Sequence, residues 1–327
     1  MGERDFAVEE AELSRMLETE PDSIGRHVEL ADLRAQAGKG NLARHSYREA
    51  LRIADDGRHF SEIQRKVSHA RAALERIETQ LDSKRRATLA ERGFPDDQLS
   101  PRFREALEIA AGRLKRYESE PTDFYFPGLP AIQFFETAQF AWGQAIEAAA
   151  PAILEELQRE LERGADEFRA YLQGHSVSPE ANKKLRGKRD WSVLSLCENG
   201  WVDTRAVERF PRTWQAIQNA PLPAVYGWGP TVVLSKLAPG AHIAAHNGMF
   251  NTRLICHLPL VVPPGCRFRV GNEVREWKEG ELLIFDDTIE HEAWNDGSED
   301  RVILIFDVWR PELTEVEKSE LSALFHV

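Results

Sequence analysis

His246, Asn247 and Gly248, followed at a distance by His291 and Arg301, are the residues of this 327-residue chain whose types suit a metal-centred reaction. Two neutral imidazoles suit Fe(II) and leave coordination positions open for a cosubstrate and oxygen. An arginine just inside a strand suits a carboxylate, which its planar guanidinium meets through two parallel hydrogen bonds. Together they make up most of an iron and 2-oxoglutarate site. Gly248 breaks the pattern, because a mononuclear non-haem iron site normally places a carboxylate two residues after the first histidine.

Four of the ten histidines, His242, His246, His257 and His291, fall between positions 242 and 291. Taken singly, each reads as an ordinary strand histidine, so geometry has to decide. His246 follows the Pro239-Gly240 turn and is expected where the chain enters a strand over 252–261. His291 is expected just after a strand ending at Asp286. In a rolled antiparallel sheet, two such strand-end positions meet at one mouth. Along 252–258 the two-residue period puts Arg253, Ile255 and His257 on one face and Leu254, Cys256 and Leu258 on the other; Arg301 and Ile303 share a face in the same way. The neighbouring acids Asp286, Asp287, Glu290, Glu292 and Asp307 are expected to orient imidazoles or meet solvent instead of ligating, with Asp307 in a structural hydrogen bond. His242 lacks the helical spacing of a zinc motif and is read as a neighbour of the site.

The elements that must position these residues divide the chain. All eight tryptophans lie between Trp142 and Trp309. Residues 1–81 carry apolar positions three and four apart and read as all-α, with a hairpin around Gly38-Lys39-Gly40 that resembles a tetratricopeptide unit. Residues 82–120 read as a charged helical linker with a helix over 102–117. The rest, 121–327, opens on an aromatic and proline-rich segment at 124–130 and continues as a helical stretch over 135–172 that Pro151 is expected to interrupt. Strands are then expected over 191–198, 231–238, 252–261, 267–270, 281–286 and 301–309, separated by Gly and Pro turns. The fold class is thus α+β and multidomain, a helical region followed by a jelly roll.

Composition narrows the partners. A formal charge of -12 argues against nucleic acid or an anionic membrane surface, both of which need basic surface. The N-terminus carries acids where a secretory signal has a basic flank, and the longest small-apolar segment falls well short of the roughly 20 residues that span a bilayer. Three cysteines are too few for a disulfide framework and fit a reducing cytoplasm.

The blocks SKLAPGAHIAAHNG (235–248), NTRLICHL (251–258), LIFDDTIEHEAWN (283–295) and RVILIFDVWRPEL (301–313), in this order, resemble the aspartyl/asparaginyl β-hydroxylase family. The resemblance extends over roughly 124–313. It implies a double-stranded β-helix, Fe(II) held by His246 and His291, and 2-oxoglutarate held by Arg301 with Ser235 and His257 assisting, with O2 as co-reactant. Gly248 is then expected, since members most similar to the animal enzyme hold iron with two histidines and have glycine there. Arg253 matches a position that contacts the substrate carboxylate, whereas Ile255 stands where a second substrate-facing arginine is expected. The implied reaction is hydroxylation of the β-carbon of an aspartyl or asparaginyl residue in a protein or peptide, with release of succinate and CO2. The same chemistry on a free or carrier-bound amino acid or a lipid acyl chain is the alternative, and a non-catalytic helical-repeat binding protein is the reading from another class.

Overall fold

The computed structural model describes residues 5–55, 61–163, 167–172 and 180–326. It divides into two compact units, Met1–Lys115 and Arg116–Val327. The first four residues, which entered the reasoning about export, lie outside the described residues, as do parts of the stretches expected over 1–81 and 135–172.

The first unit is helical. It contains α1 (Phe6–Thr19), α2 (Ile24–Gln36), α3 (Gly40–Asp55), α4 (Ser61–Glu91) and α5 (Pro101–Ala110). Ala43, Tyr47 and Ala50 of α3 recur at helical spacing and pack on Ile24, Val28 and Ala31 of α2 and Ala70 and Ala73 of α4. The boundary expected at 81 falls inside α4, which runs unbroken past it, and the helix expected over 102–117 ends at Ala110.

The second unit is built on two antiparallel sheets. Its strands are β1 (Phe134–Phe135), β2 (Arg169–Ala170), β3 (Trp191–Glu198), β4 (Trp201–Val202), β5 (Val232–Leu237), β6 (His242–His246), β7 (Arg253–Val261), β8 (Cys266–Val270), β9 (Glu273–Arg275), β10 (Leu283–Phe285), β11 (His291–Asn295) and β12 (Arg301–Trp309). The larger sheet runs β1-β10-β7-β12-β5-β3-β2, with β4 paired to β3; the smaller runs β6-β11-β8-β9. This is the expected double-stranded β-helix, a jelly roll. Alternation along β7 and β12 sends Leu254, Cys256, Leu258, Val302 and Leu304 to the outer face. There they meet α6 (Gly143–Glu162), α7 (Thr204–Arg209) and α8 (Pro211–Ile217). The inner face carries Leu237, Phe285 and Ile303, which pack against Ile243, Phe268, Val270 and Ala293 of the smaller sheet.

Several expectations need correction. Pro151 does not interrupt its helix: it lies inside α6 on the exposed side, where water can hydrate the carbonyl that proline leaves without a donor. Among the described residues of this stretch the α-helix is α6, shorter than 135–172 at both ends, with a 3-10 turn at Thr137–Gln139 before it. His246 and His291 do stand at strand ends, but of two strands that were not expected: His246 is the last residue of β6 and His291 the first of β11. The unit closes with α9 (Glu315–Phe325), started by a reciprocal capping box between Thr314 and Glu317.

Candidate active site

Antiparallel pairing places His246, the last residue of β6, directly opposite His291, the first of β11. Their ring centroids are 4.1 Å apart. His246 Nδ1 lies 2.9 Å from the Ala244 carbonyl and His291 Nδ1 lies 3.1 Å from the Ile289 carbonyl. A carbonyl only accepts, so both protons sit on Nδ1 and both Nε2 atoms keep a lone pair, the tautomer a metal ligand needs. Burial lowers the pKa of His246; burial and then the His246 ring push that of His291 well below the usual imidazole range, so both are neutral.

The corner left by the missing carboxylate is not empty space. A Cβ built on Gly248 would stand 2.0 Å from Asp287 Oδ2 and 2.2 Å from its Cγ. The Gly248 amide donates to the Asp287 carbonyl at 2.7 Å, so backbone and side chain of Asp287 both lie against the glycine. Burial pushes the Asp287 carboxyl up to about 7, with Arg253 opposing the shift, and Oδ1 is buried without a partner. Among the described residues, no group of three or more His, Cys, Asp or Glu is arranged to hold a metal ion.

The two histidine loops are tied together. Asn247 Nδ2 donates to the Thr288 carbonyl at 2.8 Å. Thr288 in turn donates through its backbone amide and hydroxyl to Asp286 Oδ1, at 3.0 and 2.5 Å, and Arg310 Nη1 donates to Asp286 Oδ2 at 2.7 Å. Asp286 and Arg310 are completely buried. From outside, Glu120 N donates to the Thr288 carbonyl and Thr122 N to that of Gly248, so the segment before the β-rich core straps both loops.

On the larger sheet, Arg301 opens β12 opposite Leu237, and Ile303 pairs with Ser235 of β5, so Arg301 and Ser235 sit diagonally on one face. Arg301 is 1% exposed, and its Nε and Nη2 are buried without a partner. Its guanidinium lies 4.8 Å from the Trp277 ring, and burial pulls its pKa down to about 10. An unpaired buried cation costs several kcal/mol unless a ligand supplies the anion. Ser235 Oγ accepts from Trp191 Nε1 at 3.3 Å. His257 of β7 accepts at Nδ1 from Trp277 Nε1 at 3.3 Å, which leaves its proton on Nε2 as a donor. Burial first and Arg301 second push the His257 pKa well below the usual imidazole range, so this donor is neutral.

Arg253 departs from the simple expectation of a free substrate contact. Its Nη1 donates to Asp307 Oδ2 at 2.7 Å, while Asp307 Oδ1 accepts from Thr231 N at 2.6 Å. Asp307 is thus the structural acceptor expected of it. His242 reaches Glu292 across the β6-β11 pair at 3.0 Å and stacks on Trp294, away from the histidine pair. The sequence reading missed Trp277, Trp191, Trp228 and the contact between Asp287 and Gly248. Only Asp287, four residues before His291, carried any prior sign of involvement.

The donor set fits a divalent metal held by two imidazoles, and the unpaired Arg301 fits the far carboxylate of an oxo diacid. Residues 156–311 match the family described as Aspartyl/Asparaginyl beta-hydroxylase. The human aspartyl/asparaginyl beta-hydroxylase is 40% identical over 144 residues, 44% of this chain and 19% of that protein. The ornithine lipid ester-linked acyl 2-hydroxylase of Rhizobium tropici is 36% identical over 180 residues, 54% of this chain and 60% of that protein. The human aspartate beta-hydroxylase domain-containing protein 2 is 28% identical over 212 residues, 63% of this chain and 55% of that protein. The chain therefore spans less than two thirds of each of these relatives. The cupin domain of Schizosaccharomyces pombe Cnp3 aligns with a TM-score of 0.25 and 9% identity, over 37% of this chain and 66% of that one.

Proposed function

We propose that the chain, whose residues 156–311 match the aspartyl/asparaginyl beta-hydroxylase family, is an Fe(II)- and 2-oxoglutarate-dependent dioxygenase that hydroxylates the β-carbon of aspartyl or asparaginyl residues in a protein or peptide. The observation that carries this reading is the pairing of two neutral imidazoles, both with free Nε2 lone pairs, with one fully buried arginine that has no anion. When bound, Fe(II), 2-oxoglutarate and O2 supply the oxidation, which yields succinate, CO2 and one hydroxyl on the substrate carbon.

The protein's part is binding and orientation. His246 and His291 hold the metal, their Nδ1 protons locked on carbonyls so that both rings keep one orientation. Arg301 pairs with the far carboxylate of the cosubstrate, and the Ser235 hydroxyl and His257 Nε2–H donate to the same acid. Trp277 keeps the His257 proton on Nε2 and shields the guanidinium from water. Arg253 faces the substrate with the edge of its guanidinium that Asp307 leaves free. The three cysteines are buried and free, in keeping with a cytoplasmic compartment.

A second reading, hydroxylation of an acyl chain or another small substrate, draws on Ile255 among the inward residues of β7 and on the charge of Arg253 being balanced by Asp307. Anaerobic titration with Fe(II) and 2-oxoglutarate tests the shared chemistry: a weak visible charge-transfer band should appear and be lost in His246→Ala. A folded protein without that band returns the non-catalytic reading. Succinate release with aspartyl and asparaginyl peptides, free amino acids and acyl lipids then decides the substrate, and stimulation by lipid alone overturns the peptide assignment.

A further inference from the structure

Arg253 sits inside an aromatic enclosure that the metal and cosubstrate residues do not explain. Its guanidinium carbon lies 5.4 Å from the Trp228 ring and 5.0 Å from the Phe250 ring, both over the ring faces. Trp228 and Phe250 are 5% and 6% exposed, so this cation is held between nearly dry surfaces. The two rings meet each other edge-on, with centroids 5.3 Å apart. Arg253 Nη1 donates to Asp307 Oδ2 at 2.7 Å and to the Trp228 carbonyl at 3.4 Å, and Nε is buried without a partner.

The enclosure is closed by the last helix. Phe325 at the end of α9 stacks on Trp228 with centroids 5.0 Å apart and planes 8° from parallel. It meets Phe250 edge-on at 5.4 Å and Phe124 edge-on at 5.3 Å. Leu321, one turn earlier, is buried in the same cluster with Trp309 and Leu313. The capping box at Thr314 fixes the start of the helix, and these aromatic contacts fix its end. Phe325 braces both of the rings that lie over Arg253.

We propose that α9 acts through Phe325 as a positioning element, holding Trp228 and Phe250 so that the free Nε edge of Arg253 is presented to an acceptor oxygen of the substrate. This rests on the substrate-facing role given to Arg253 above. Phe325 is a positioning residue, and its effect falls on substrate affinity while the histidines of β6 and β11 and Arg301 at the start of β12 keep their arrangement.

Two measurements test it. Arginine Nε–H resonances of protein labelled with 15N at arginine report the Arg253 environment without any substrate, the Arg253 signal being identified by its loss in Arg253→Lys. Phe325→Ala should move that resonance and speed its exchange with water. Phe325→Tyr should restore it, and the Arg301 resonance should stay in place in both as the check on folding; Phe325→Leu serves if the alanine variant does not fold. In steady state, Phe325→Ala should raise KM for an asparaginyl or aspartyl peptide by about tenfold, the scale of losing one ordered cation–aromatic arrangement, while kcat and peptide-independent succinate formation hold. An unmoved Arg253 resonance overturns the proposal, and so does a moved resonance with unchanged KM. If the wild type turns over no peptide, the hydroxylase assignment fails, and the resonance measurement still decides whether α9 positions Arg253.

Discussion

The Asp287 carboxylate occupies the volume that a side chain at Gly248 would need, with Oδ2 2.0 Å from the position of a Cβ there. Glycine at 248 is therefore a steric requirement of Asp287 and not only a lost ligand. Gly248→Ala should lower stability by about 1–3 kcal/mol through overpacking. In an Asp287→Ala background the same substitution should cost little, giving a coupling energy of about 1 kcal/mol or more between the two sites. Urea unfolding of the four proteins measures this, and additive losses would refute it.

Arg301 carries a buried charge with no anion among the described residues. Arg301→Leu should leave the ligand-free protein as stable as the wild type or more so, because removing a lone buried cation removes its desolvation cost. The same variant should lose the stabilisation by 2-oxoglutarate, which for wild type amounts to about 2.7 kcal/mol at a hundredfold excess over Kd. Thermal unfolding with and without 2-oxoglutarate, in the presence of a redox-inert divalent ion, separates the two effects.

Arg310 and Asp286 form a pair with 0% exposure on both sides. Arg310→Met strands the carboxylate and frees the Pro130 carbonyl that Nη2 holds at 2.7 Å, so a loss of about 3–5 kcal/mol is expected. Arg310→Met with Asp286→Asn should recover part of it. Because Asp286 fixes Thr288, and Thr288 fixes Asn247, metal affinity should also fall by about 10- to 100-fold in the single variant. Chemical denaturation and metal titration check the two halves separately.

In the helical unit, Arg113 first and Arg86 second draw the Glu108 carboxyl down to about 2. A depressed carboxylate contributes stability that is complete above its unfolded value, about 4.3, and is lost as pH falls through the folded value. Glu108→Gln should therefore lower stability at neutral pH and flatten the acid limb between those two pH values, so that variant and wild type converge as pH falls below the folded value. Helical circular dichroism followed through acid titration reads the difference.

Much of this architecture was legible in the sequence because β7 and β12 are nine-residue, largely apolar runs bounded by turn residues. Their two-residue phase put Arg253, Ile255 and His257 on one shared face, and Arg301 and Ile303 likewise; which face is the inner one emerges only from the fold. β6 and β11 escaped because they are five residues long and carry His, Glu and Asn where the period signal needs apolar residues. The pairing of Arg253 with Asp307 depends on β7-β12 register, which puts Ile255 opposite Asp307 and Arg253 opposite Trp309. No local pattern sets that register. Trp277 escaped for a similar reason: it follows β9 in a loop, and only the closed fold brings its indole to both His257 and Arg301.

The histidine pair belongs to the smaller sheet, while Ser235, His257 and Arg301 lie on three neighbouring strands of the larger one. On the proposed function, a ligand that chelates at one end and ion-pairs at the other would bridge the two sheets, and Phe268 packed against Phe285 between them, with ring centroids 4.7 Å apart, would serve as a length gauge for the acid. Trimming either ring should relax the ruler and admit diacids one methylene shorter or longer, with neither the histidines nor the arginine altered.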